Sequence, residues 1–158
     1  MSLLNNLQQL CIEKAVSVAV AESCTAGLIA SKLTALPGSS SYFKGGIVAY
    51  QNEIKTKILE VSQSVIDEKT EVSAEVVKQM ANSVLEKFDT DFAIATSGYA
   101  GPTGGTNKNP IGTVFIAIAS EIGVVAIRFI FSGNRQSIVN QASETALNLL
   151  YTKIKKQQ

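Results

Sequence analysis

Histidine and tryptophan are missing from this 158-residue chain, and cysteine occurs twice, at Cys11 and Cys24. Without imidazole, the commonest proton carrier near neutral pH is unavailable. A serine nucleophile here would need lysine or tyrosine as its base. Two cysteines at this spacing match no zinc pattern and no histidine completes one, so no metal or other cofactor is expected. Free thiols in a reducing compartment are the simpler reading. An excess of one charge is also lacking: 14 basic residues face 13 acidic ones, for a formal net charge of +1. That balance disfavours nucleic acid as the main partner. The one basic run, Lys153, Lys155 and Lys156, reads as a solvated helix end. Long apolar runs are missing too. The strongest, Val124 to Phe131, is broken by Arg128 and is too short to span a bilayer. Residues 1–14 lack the basic flank and apolar core of a signal peptide. A soluble, cytoplasmic protein without a membrane partner is expected.

What is present reads as globular. Hydrophobic residues make up 46% and charged residues 17%, enough for one domain, residues 1–158, with a real core. Leu3, Leu4, Leu7, Leu10 and Cys11 recur at helical spacing over residues 3–14. Val16–Ala21 is a short β-branched run, hence a buried strand, and Leu28–Leu36 is a helix stopped by Pro37-Gly38. Gly45 and Gly46 lead into Ile47-Val48-Ala49, room for one buried strand. Asn52 is the expected N-cap of a helix over Glu53–Leu59, and residues 64–69 have the length of one further helical turn. Ser73 caps a helix running to about Phe88. Phe92–Thr96 is a buried strand. Gly112–Ser120 and Val124–Phe131, joined by Glu121-Ile122-Gly123, form an antiparallel hairpin. A helix then runs from about Gln136 to Lys155. The alternation predicts a single α/β domain, a mainly parallel mixed sheet with a C-terminal antiparallel hairpin, covered by helices.

Four stretches carry groups suited to chemistry. Glu22-Ser23-Cys24-Thr25-Ala26-Gly27 lies between a strand and a helix, an arrangement that aims N–H groups and hydroxyls at an anion. Ser23 and Thr25 serve equally as helix caps in that position. Ser39, Ser40 and Ser41 precede the short strand, and Tyr50 and Lys55 follow it. Hydroxyl, phenol and amine are thus spread around its two ends, and lysine or tyrosine can serve as base. Residues 97–107 hold four of the 11 glycines, directly after a buried strand, where open α/β sheets bind ligands. Arg135 opens the last helix, where a cation opposes the helix dipole, so a bound phosphate would explain it.

Together these stretches resemble the CinA C-terminal-domain family, also described as nicotinamide-nucleotide amidases. The resemblance covers nearly the whole chain, in order, and implies a stand-alone domain without the N-terminal domain of full-length CinA proteins. It implies a three-layer α/β/α fold and hydrolysis of the carboxamide of nicotinamide mononucleotide to nicotinate mononucleotide and ammonia, without a metal, in a homodimer. By this resemblance Ser40 is the catalytic serine, with Tyr50 and Lys55 completing the set. Ser23, Thr25, Gly27, Ser97, Gly98, Gly101, Gly104, Gly105 and Arg135 match segments that hold the nucleotide. The chain departs from the family's pattern at Ala26, Ser97, Tyr99 and Asn134. A non-catalytic nucleotide-binding module on the same fold is the rival expectation.

Overall fold

Alternation of size, rather than of polarity, organises the central sheet. Strand β1 (Val18–Glu22) reads Val-Ala-Val-Ala-Glu, β3 (Phe92–Gly98) begins Phe-Ala-Ile-Ala, and β4 (Thr113–Ser120) contains Ile-Ala-Ile-Ala. All three are buried on both faces. In the structure, a computed structural model that describes residues 2–157, the strand order is β2-β1-β3-β4-β5. Here β2 spans Phe43–Val48 and β5 spans Gly123–Ile130. β2, β1 and β3 are parallel, β4 is antiparallel to β3, and β5 is antiparallel to β4. Only β4 therefore runs against the other strands, as the predicted mixed sheet with its terminal hairpin requires.

Strand register places the small residues in rows. Ala19 pairs with Ala93 and Ala93 with Ala119; Ala21 pairs with Ala95, Ala95 with Ala117 and Ala117 with Ala126. This flat methyl surface receives helix α5 (Ala74–Lys87) through Val76, Val77, Met80, Ala81 and Val84. Leu59, Val61 and Ile66, the last on α4 (Gln63–Lys69), extend the same core. The other face presents Val18, Val20, Ile94, Ile116 and Ile118 to α1 (Leu3–Lys14), α2 (Leu28–Leu33) and α6 (Arg135–Lys156). Side chains contacting α5 and those contacting α6 thus come from opposite parities of the same strands.

Several boundaries differ from the sequence reading. The expected buried strand at Ile47–Ala49 is an edge strand that starts four residues earlier, at Phe43, with Gly45 and Gly46 inside it. Gly46 pairs with Val20, and a Cβ there would lie about 2.6 Å from the Val20 carbonyl oxygen. Glycine is needed because the neighbouring strand comes too close for a side chain. Helix α2 ends at Leu33 rather than Leu36, and α3 (Asn52–Lys57) is preceded by Gln51, so Asn52 is its first residue and not its cap. Ser73 does cap α5, accepting from the Val76 N–H at 3.3 Å. Among the described residues no helix is long and apolar enough to cross a membrane.

Candidate active site

The sheet's C-terminal edge holds a cavity of about 490 Å³. Alternation carries the alanine positions of β1 and β3 onward to Ser23, just past β1, and to Ser97, inside β3. Both serines line the cavity, and each is more than nine-tenths buried. Tyr50 and Lys55 join them from the connection after β2 and from α3; Gly98, Tyr99 and Gly101 from the loop after β3; Glu71 from the segment between α4 and α5; and Arg135 from the start of α6.

Lys55 is the largest fully buried side chain of the structure, 1% exposed. Its Nζ donates to the Tyr50 carbonyl oxygen at 3.3 Å. Removal from water pulls its pKa below the ordinary lysine value, and the carboxylate of Glu71 and the thiol of Cys24 oppose that pull. An amine so placed is closer to neutrality than any exposed lysine. Burial pushes the Cys24 thiol up to about 12, which makes it inert as a nucleophile.

The turn after β1 is held by a residue that sequence reasoning passed over. Glu22, 1% exposed, accepts the N–H groups of Ile29 at 2.9 Å and Ala30 at 3.0 Å. A carboxylate from the strand end thus caps α2, whose own cap position is Gly27 and has no side chain to offer. Neither Ser23 nor Thr25 caps this helix. The Thr25 hydroxyl is buried against that of Thr96 at 2.8 Å. The pattern that could have revealed Glu22 is a carboxylate at the end of an otherwise apolar strand, which requires a partner when buried.

Not every expected residue reaches the cavity. Ser40 sits in a one-turn 3₁₀ helix, Ser39–Ser41, that precedes β2, whereas Tyr50 and Lys55 follow it. The six residues of β2, at about 3.3 Å each, put roughly 20 Å between the two ends. Ser40 is exposed and lines no part of the cavity. Gly104 and Gly105 face a separate shallow surface with Thr106 and Pro110. Thr25 and Gly27 line a second cavity that shares Cys24, Tyr50 and Arg135 with the first. The Ser97 hydroxyl donates to the Glu71 carbonyl oxygen at 2.7 Å, so its proton is committed. Arg135 has a structural reason for its place: Nη1 donates to the Gly101 carbonyl oxygen at 2.7 Å and Nη2 to the Tyr50 phenol at 2.7 Å. Among the described residues no three His, Cys, Asp or Glu side chains gather to hold a metal ion.

This strand-end cavity can be set beside known proteins. The family model described as the CinA C-terminal domain matches residues 1–154.

The chain belongs to the CinA C-terminal-domain family.

A CinA-like protein of Flavobacterium psychrophilum is 45% identical over 150 residues, covering 95% of this chain and 36% of the relative. One from Thermosipho melanesiensis is 48% identical over 136 residues, 85% of this chain and 34% of the relative. The chain thus spans about a third of the length of these curated relatives. The crystal structure of a competence-damaged protein (CinA) superfamily protein from Klebsiella pneumoniae superposes with a TM-score of 0.94 at 31% identity, covering 98% of this chain and 97% of that one. The competence/damage inducible protein CihA from Agrobacterium tumefaciens gives 0.90 at 31% identity, covering 99% and 98%. Family membership and the mixed α/β architecture therefore agree with the sequence reading.

Proposed function

We propose that this chain hydrolyses the carboxamide of nicotinamide mononucleotide, with Ser23 as the nucleophile and Lys55 as the base. The observation that carries the reading is a fully buried lysine, pulled toward its neutral form, in one cavity with a buried serine. Ser97 and Thr25 have committed their hydroxyls to other groups; Ser23 has no such bond among the described residues. Ser23 replaces Ser40 in this role because Ser40 lies at the other end of β2.

The steps follow from that placement. Ser23 Oγ attacks the carboxamide carbon while its proton passes to Lys55 Nζ. The C–N bond breaks as Lys55 returns the proton to the departing nitrogen, and ammonia leaves. Water then attacks the acyl-enzyme, losing a proton to Lys55. The Ser23 ester bond breaks, the proton returns from Lys55 to Ser23, and the product leaves as a carboxylic acid that loses its remaining proton to water or to the released ammonia. The N–H groups of Thr25 and Gly27, unused by the turn's own backbone bonds, and the Arg135 guanidinium suit the nucleotide phosphate in the adjoining cavity.

Ammonia release from nicotinamide mononucleotide tests the proposal. Ser23→Ala should lose about 10³-fold or more, as for a nucleophile acting within a coupled set. Ser40→Ala, an exposed change, should stay within about twofold of the unmodified protein. The opposite ranking would overturn the assignment. Tight nucleotide binding with no turnover in any form would favour a non-catalytic binding module.

A further inference from the structure

The segment linking α4 to α5 brings a carboxylate to the cavity wall and is held there under strain. Thr70 has φ +67° and ψ 166°, a region where β-branched residues are rare outliers. The two residues that follow are pinned through their carbonyl oxygens. Ser97 Oγ donates to that of Glu71 at 2.7 Å, and Asn109 Nδ2 to that of Val72 at 3.3 Å. Arg128 Nε in turn donates to Asn109 Oδ1 at 3.1 Å. The chain is therefore forced to present Glu71 at this place.

Among the described residues Glu71 makes no ion pair. The side-chain ion pairs among the described residues are Lys32–Glu144, Lys57–Glu53 and Lys87–Glu60. Lys55 shares the cavity but makes no ion pair with Glu71. Tyr99 lines the same wall, near enough that the Glu71 charge raises its pKa in addition to the larger effect of burial. A carboxylate without an ion-pair partner beside an aromatic ring favours a flat delocalised cation. The ring of an N-glycosylated nicotinamide is such a cation; its dihydro form is neutral.

We infer that Glu71, with Tyr99 beside it, selects a cationic nucleotide ring over its neutral dihydro counterpart. The inference rests on the reading that this cavity receives a nicotinamide nucleotide, and it adds a specificity residue to that reading. A cationic ring placed here also offsets the Glu71 charge felt by Lys55, so substrate arrival favours the neutral amine.

The test uses two ligands with no amide to cleave: 3-acetylpyridine mononucleotide, whose ring is cationic, and its neutral 1,4-dihydro form. Dissociation constants are measured by calorimetry at pH 8 on the full chain, Glu71→Gln and Glu71→Asp. The unmodified chain and Glu71→Asp should prefer the cationic form by about tenfold or more, and Glu71→Gln should bring the two within about twofold. An unmodified chain without preference, or a preference that survives in Glu71→Gln, would overturn the inference. Its failure is separable from that of the amidase reading. Preference without ammonia release from nicotinamide mononucleotide sinks only the amidase; ammonia release without preference sinks only the role of Glu71. If neither form binds at millimolar concentration, both readings fall.

Discussion

Arg135 donates through Nη2 to the phenol oxygen of Tyr50 at 2.7 Å, across 85 positions of sequence. Both residues line both cavities, so this bond stands between them. Tyr50 is 53% exposed, which sets it apart from the buried amine of Lys55 as a candidate base.

Tyr50→Phe removes the acceptor that orients the guanidinium and leaves the ring. If Lys55 takes the proton, kcat should stay within about tenfold, while KM for the nucleotide rises by about tenfold through the loosened arginine. Steady-state ammonia release separates the two constants. A kcat loss of about 10³-fold, equal to that of Lys55→Met, would instead place the proton transfer on the phenol.

Lys55 predicts two pH dependences of related origin. In the proposed mechanism the neutral amine is the active form, so kcat should rise with pH through the folded-state pKa. Lys55→Met should abolish that limb together with activity, and Lys55→Arg should not restore it, because guanidinium stays charged. Stability follows from the same lowered pKa. Below the folded-state value both folded and unfolded chains are protonated, and the full cost of burying the charge is present. Between that value and the unfolded value, about 10.4, the unfolded chain binds more protons, so stability rises with pH. Above both values the cost is gone. Lys55→Met should therefore be more stable than the unmodified chain at pH 7, with a margin that narrows by pH 10 in urea unfolding. A margin that widens instead would show that the fold holds Lys55 as a cation.

Glu22 links the fold to the site. Glu22→Ala strips two N–H groups of α2 of a buried charged acceptor and should destabilise the protein by about 2–4 kcal/mol. Glu22→Gln keeps one acceptor oxygen and should cost about half as much. Urea midpoints measure both. Equal midpoints for all three forms would mean that the cap contributes nothing and that the turn carrying Ser23 is held elsewhere.

Periodicity makes most of the fold legible in the sequence. The helices around α1, α5 and α6 follow the apolar spacing, and β1, β3 and the hairpin follow their short apolar runs. β2 was hidden because Phe43-Lys44-Gly45-Gly46 has the composition of a turn. Its glycines instead answer to Val20 and to the Phe88 ring, contacts between positions far apart in sequence. At the site, Tyr50 and Lys55 were readable as a pair because both follow β2. Ser40 is near Tyr50 and Lys55 in sequence but lies outside their cavity, because the length of a strand separates them: residues flanking β2 stand at opposite edges of the sheet. Ser23 comes to line the same cavity as Lys55 through the pairing of β1 with β2, and that adjacency is not written in either segment alone.

The alanine rows beneath α5 make the two sides of the sheet unequal in the variation they admit. On the α6 side, Val20, Ile94 and Ile118 occupy a layer of branched side chains, where exchange among residues of similar volume is tolerated best. On the α5 side, a methyl-sized gap separates backbone from helix at Ala19, Ala21, Ala93, Ala95, Ala117 and Ala119, all 0% exposed. Any larger residue there must lift α5, and with it the strap that carries Glu71 beside the cavity. Saturation mutagenesis scored for folding alone should therefore trace a stripe of intolerance along one parity of three strands. The same stripe scored for catalysis should be deeper at Ala21 and Ala95, which stand two residues before Ser23 and Ser97.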